Sequence, residues 1–168
     1  MPTVLVVGGP VERAAAFLRA AAPRRGPALF LSPYPSSTRL LVEASRALGA
    51  DRLLDRTLVS IVPAEASRLA ALIQSLGPVL AGGSLSVAAF DCLLSPALRA
   101  CGDVDSKSRL ASALSLMRAL ARRGGACVLI MEPRLPARII ARQVDAILNL
   151  AAGGLGAAPS RVEPLQDL

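Results

Sequence analysis

This sequence predicts an α/β domain, with a mostly parallel sheet between two layers of helices. Three observations predict it. Short runs rich in Val, Leu, Ile and Ala recur along the chain and read as strands buried on both faces. Longer segments between them carry apolar residues at helical spacing. The two kinds alternate from residue 3 to residue 150, the order of a parallel sheet with right-handed crossovers.

Residues 3–7 (TVLVV) are the first strand, Gly8-Gly9-Pro10 the turn, and residues 11–22 the first helix, stopped by Pro23, Gly26 and Pro27. Residues 28–31 are a short buried strand. The loop 32–38 follows, with Ser37 or Thr38 as cap for a helix over 39–48 that buries Leu40, Leu41, Ala44 and Leu48. Gly49 is its stop. Residues 58–62 are the third strand, and Pro63 opens a helix with a stripe of Leu69, Leu72, Ile73 and Leu76, broken by the stretch 77–83. Residues 84–91 form a strand ending in Asp91, and 95–105 a longer loop. The longest helix, 106–123, lines up Leu110, Leu114, Met117, Leu120 and Ala121. Arg118, Arg122 and Arg123 stand near its C-terminal end, where cations are favoured. Gly124-Gly125 stops it. Residues 126–131 are the fifth strand, the chain after Pro136 is partly helical, and 146–150 is a last strand. The reading gives one domain over 1–152 and a flexible tail over 153–168, rich in Gly, Ala and Pro.

Composition narrows the function. Hydrophobic residues make up 53% of the 168, yet there are three Phe, one Tyr and no Trp, so the core is built from Ala, Leu, Val and Ile. No apolar run reaches the roughly 18 residues needed to cross a bilayer, and no signal peptide is visible, so the expectation is a cytoplasmic protein without membrane association. The net charge is +7, and Lys107 is the single lysine beside eighteen arginines. That skew fits a GC-rich genome and the arginine-for-lysine exchange of some thermophile families, and it equally suits phosphate backbones. The chain has no His, and Cys92, Cys101 and Cys127 are widely spaced. This excludes the usual zinc patterns and any Ser-His or Cys-His catalytic pair. Cys92 and Cys127 read as buried thiols acting as small hydrophobes.

The turn after the first strand carries the most chemistry. A phosphate loop reads G-x-x-x-x-G-K-[ST], and its backbone N–H groups, lysine and hydroxyl hold phosphates and magnesium. Laid on residues 8–15, that frame keeps only its first glycine: Arg13 stands at the second glycine, Ala14 at the lysine and Ala15 at the hydroxyl. The stretch reads as a nucleotide site with its chemistry deleted and, equally, as an ordinary Gly-rich connection. In open α/β sheets ligands bind beyond the carboxyl ends of the strands, where the Gly8 turn, the Ser32 loop, Asp91 and Glu132 would gather.

The order of features resembles the ATPase core of the RecA/RadA recombinase superfamily. "LARRGGACVLIMEP" resembles that family's long helix and sensor strand, "QVDAILNL" its final strand, and "ALGADRLLDRTLVSIV" the approach to its third strand. The resemblance covers about residues 3–150 and rests on order and texture. It implies a RecA-like P-loop core of the archaeal RadA-paralogue kind, with Gly8, Gly9, Arg13 and Asp91 forming a vestigial nucleotide site. Asp91 matches the Walker B aspartate. The catalytic glutamate expected after the second strand is missing from "FLSPYPSST", and the sensor position falls near Met131-Glu132. With no lysine and no general base, phosphoryl transfer lacks charge stabilisation and a positioned water. The expectation is a non-enzyme with no catalytic residue, cofactor or metal.

The resemblance also implies two DNA-facing loops, roughly 94–107 and 132–142, carrying Arg99, Lys107, Arg134, Arg138 and Arg142. Guanidinium groups suit phosphates. The competing reading pairs these cations with Asp103, Asp105, Glu132 and Asp145. No aromatic residue lies among them for base stacking. Phe17-Leu18-Arg19-Ala20 matches the family's Phe-x-x-Ala partner anchor in letters but lies inside the first helix and reads as core. The expected role is an accessory subunit in homologous recombination or DNA repair, bound to a recombinase or accessory partner as part of an oligomer, and to single- or double-stranded DNA. Two alternatives stand beside it: a structural assembly subunit outside DNA repair, and a small nucleotide-binding enzyme using Arg13 and Asp91.

Overall fold

The computed structural model describes residues 2–136, 138–150 and 162–164. The strands are β1 (Thr3–Val7), β2 (Ala28–Ser32), β3 (Thr57–Ile61), β4 (Val87–Asp91), β5 (Cys127–Glu132), β6 (Ala146–Asn149) and β7 (Val162–Pro164). They form one sheet in the order β3-β2-β4-β5-β1-β6-β7. The first six are parallel, and β7 runs antiparallel to β6. β7 was not foreseen, and the rest of the expected tail lies outside the described residues.

The helices are α1 (Pro10–Ala21), α2 (Ser36–Leu48), α3 (Ala66–Ala81), α4 (Leu94–Ala100), α5 (Val104–Gly124) and α6 (Arg138–Ala141), with a 3-10 turn over Asp51–Arg56. Two apolar clusters, one on each face of the sheet, account for the layers. One joins α1 and α2 to the sheet through Phe17, Leu18, Leu41, Phe30 and Leu129. The other joins α3, α4 and α5 through Leu69, Ile73, Leu94, Leu114 and Phe90. Every residue of β2, β4 and β5 is buried, which is why these runs have no polar alternation.

Three expectations about the elements fail. The stretch 95–105 contains a helix. Leu94, Ala97 and Leu98 give it an apolar face, and Pro96 falls in its first turn, where the missing N–H costs nothing. The helix over the third connection does not break at Gly77. It runs through Pro78 to Ala81 because Leu80 is buried against α5, so packing overrides local propensity. α2 begins at Ser36, with no side-chain cap from Ser37 or Thr38. Ser37 is recruited into a buried hydroxyl pair with Ser32 instead.

The predicted stops at Gly49 and Gly125 hold, both in the left-handed conformation with φ of 62° and 73°. α5 is capped by Asp103, whose carboxylate accepts the Ser106 N–H at 2.6 Å and is held below its ordinary pKa by that bond.

Candidate functional site

Parallel strands deliver their C-terminal residues to one edge of the sheet. Backbone bonds tie the three central ends together: Gly8 N–H donates to Glu132 O (3.1 Å) and Cys92 N–H to Met131 O (2.8 Å). The Gly8 turn, Ser32, Asp91 and Glu132 gather there as expected.

Gly8, Gly9, Arg13 and Asp91 do come together, though not as an open phosphate loop. α1 starts at Pro10, so only Gly8 and Gly9 separate it from β1. Pro10 has no N–H, the Arg13 N–H donates to Gly9 O (3.0 Å), and the Gly8 N–H is already spent on Glu132. Ala14 and Ala15, at the lysine and hydroxyl positions, are packed into the core. A Cβ on Gly9 would collide with the Glu12 carboxylate, so a carboxylate already lies against the N-terminus of α1, where the helix dipole favours an anion.

Arg13 reaches back across the turn. Its Nε donates to Asp91 Oδ1 at 2.7 Å and its Nη1 to the Gly8 carbonyl at 2.6 Å. Ser32 Oγ donates to Asp91 Oδ2 (3.1 Å), and Ser37 Oγ, 2.7 Å from Ser32 Oγ, supplies the next proton in the chain. Both Asp91 oxygens are therefore engaged, and Arg13 and Asp91 are each 5% exposed. Sequence reasoning brought the Ser32 loop to this edge but missed the bonds that Ser32 and Ser37 make there, which the pairing of β2 with β4 sets beside Asp91. The resident groups do not fit a magnesium nucleotide: the carboxylate that would face the metal is held by a guanidinium, with no lysine or hydroxyl beside it.

Cys92 follows Asp91 with φ of 52°, the one described non-glycine residue in the left-handed region. It turns the chain from β4 toward α4. Burial, with Asp91 beside it, pushes the thiol pKa up to about 12, so it is an inert side chain. Glu132 is 1% exposed, and burial pushes its carboxyl up. The opposing influences are the Ser95 N–H, which donates to it at 2.9 Å, and the guanidiniums of Arg99 and Arg13.

Beside this edge lies a cleft of ≈ 710 Å³ whose lining includes Arg99, Lys107 and Arg134 with Glu132. Three of the five cations expected to face DNA thus meet in one place. Arg138 and Arg142 do not line it. Arg138 opens α6 and Arg142 follows its end, where the Arg142 N–H donates to Arg138 O, and both are exposed. Among the described residues none of the five cations forms an ion pair with a carboxylate. Of the predicted competitors, Glu132 lies in the same cleft and feels Arg99, and two others are used elsewhere. Asp103 caps α5, and Asp145 is taken by Arg118 and Arg122 and accepts the Thr3 N–H (2.8 Å). Burial works against ionisation of Asp145, but these donors win and hold its carboxyl low.

No protein-family model matches this chain, and no curated protein matches it in sequence. Among solved structures, a crystal structure of the RadB recombinase superposes with a TM-score of 0.64 at 14% identity, covering 88% of this chain and 73% of that one. The chain has a RecA/RadA-like fold. At that identity the likeness speaks for the fold alone. No helix among the described residues is long and apolar enough to cross a membrane.

Proposed function

We propose that this protein is a non-enzymatic RecA-like subunit that assists homologous recombination or DNA repair, binding a recombinase or accessory partner together with DNA. The observation that carries this reading is the buried Arg13–Asp91 pair. A nucleotide entering the old site would have to displace Arg13 from both Asp91 and the Gly8 carbonyl. It would gain no lysine or hydroxyl in return, and separating a buried pair costs about 3–5 kcal/mol. The same pair weighs against an enzyme built on Arg13 and Asp91, because each neutralises the other out of reach of solvent.

The five cations, none of them in an ion pair among the described residues, on the two segments that follow β4 and β5, support the DNA part. The edge strand β3 supports a protein partner: Leu58 and Ile61 are 63% and 47% exposed beside backbone groups that pair only with β2. The test has two readouts. ATP turnover stays at the level of a no-protein blank, and turnover near that of an active recombinase overturns the non-enzymatic reading. DNA affinity falls steeply with salt, and the Arg138→Ala/Arg142→Ala double variant lowers both the affinity and the slope. Absence of binding to single- and double-stranded DNA at low salt favours the assembly subunit outside DNA repair.

A further inference from the structure

The cleft holding Arg99, Lys107 and Arg134 is built for more than a passing phosphate backbone. Its volume of ≈ 710 Å³ lies in the range of small-molecule sites. Leu98, Ile139 and two prolines give it apolar walls. Buried Ser95, on the cleft's lining, donates its backbone N–H to Glu132 and so holds that carboxylate beside the cations.

Formal charge narrows the ligand. Three cations and one carboxylate leave two positive charges. That suits a terminal phosphomonoester, which gathers about −1.5 to −2 on one group at neutral pH, whereas a passing strand would have to place two phosphodiesters there. We propose that this cleft binds a terminal phosphomonoester, either the 5′-phosphate of a nucleic-acid strand or that of a free mononucleotide. Arg99, Lys107 and Arg134 hold the phosphate, and Leu98, Ile139 and the prolines face the body that carries it. The strand-end form rests on the DNA-binding reading above; the mononucleotide form does not.

The test compares one short single-stranded oligonucleotide with a 5′-phosphate and with a 5′-hydroxyl, a circular single strand that has no ends, and adenosine 5′-monophosphate against adenosine. The expected result is about tenfold tighter binding of a phosphorylated ligand than of its unphosphorylated counterpart. A preference in the oligonucleotide pair assigns the strand end, and one in the nucleoside pair alone assigns the free nucleotide. Arg134→Ala and Lys107→Ala, both at exposed positions, each reduce that preference severalfold. Equal binding with and without the phosphate in both pairs overturns the proposal, as does a preference that survives the Arg134→Ala/Lys107→Ala double variant. Binding of the circular strand with no phosphate preference in either pair would overturn this inference and leave the DNA-binding reading standing. A preference in the nucleoside pair with no binding of any strand would do the reverse.

Discussion

Arg13 and Asp91 are each 5% exposed, so neither charge has water to fall back on when the other is removed. Arg13→Ala is expected to cost about 3–5 kcal/mol, since it leaves the carboxylate buried and uncompensated. Arg13→Lys does not restore the loss, because a point charge cannot serve Asp91 and the Gly8 carbonyl together as the guanidinium fork does. The Arg13→Met/Asp91→Leu double variant, which removes both charges at similar volume, lies closer to the parent than either single change. Urea unfolding midpoints at constant m-value decide the matter; a cost below about 1 kcal/mol for Arg13→Ala would mean the pair is solvated. Glu132 behaves differently. Burial raises its native pKa above that of the unfolded chain, so the protonated form is favoured on folding. Its contribution is full below the ordinary glutamate range and is lost as pH rises through the raised native value. Glu132→Gln keeps an oxygen for the Ser95 N–H and has no charge to desolvate. Measured from about pH 4 to about pH 8, the variant should gain on the parent as pH rises, and parallel curves would refute this.

α3 and α5 pack so closely that a Cβ on Gly124 would overlap the Leu80 carbonyl oxygen, and backbone cannot give way as a side chain can. Gly124→Ala is therefore expected to destabilise by about 1–3 kcal/mol. Gly77→Ala is the control on the same interface: its Cβ meets only the mobile end of Leu120 at 3.1 Å, and alanine favours the helix, so stability changes little. Similar losses at both positions in urea unfolding would refute the distinction. This interface also shows what was legible in advance. The stripes of α3 and α5 repeat every three or four residues, and the buried strands are short apolar runs, so the parallel fold and the edge where the site lies could be read directly. The continuation of α3 through Gly77-Pro78 could not, because burial of Leu80 against a helix forty residues away outweighs two local breakers. The α4 helix was hidden behind Ser95-Pro96, a pair that looks like a breaker until proline is placed in the first turn. At the site, the missing lysine and hydroxyl were visible at Ala14 and Ala15. The Ser37–Ser32–Asp91 chain was not, since strand pairing alone brings residues 32 and 91 together.

For the molecule as a whole, the question is whether a fold shared with a recombinase still responds to nucleotide. Binding to the native state alone stabilises it by mass action: a ligand at a hundred times its Kd adds about 2.7 kcal/mol. In a domain of 168 residues each kilocalorie moves the melting temperature by about 2–4 °C, so a working site would announce itself as a shift of several degrees. Here the nucleotide must first break the Arg13–Asp91 pair and dislodge Arg13 from the Gly8 carbonyl. The helix start at Pro10 leaves few free N–H groups to replace those bonds. Thermal unfolding with millimolar ATP and magnesium should therefore move the midpoint by less than about 1 °C. Short DNA at low salt acts through the exposed cations instead, and should raise the midpoint by an amount that fades as salt is added. The two titrations discriminate because nucleotide needs the buried Arg13–Asp91 pair broken, whereas DNA needs only exposed cations. A shift of several degrees with ATP, lost in Asp91→Ala, would show that Arg13 swings aside and that the old site still holds its ligand. A shift with DNA alone would place the remaining function on the surface beyond β4 and β5.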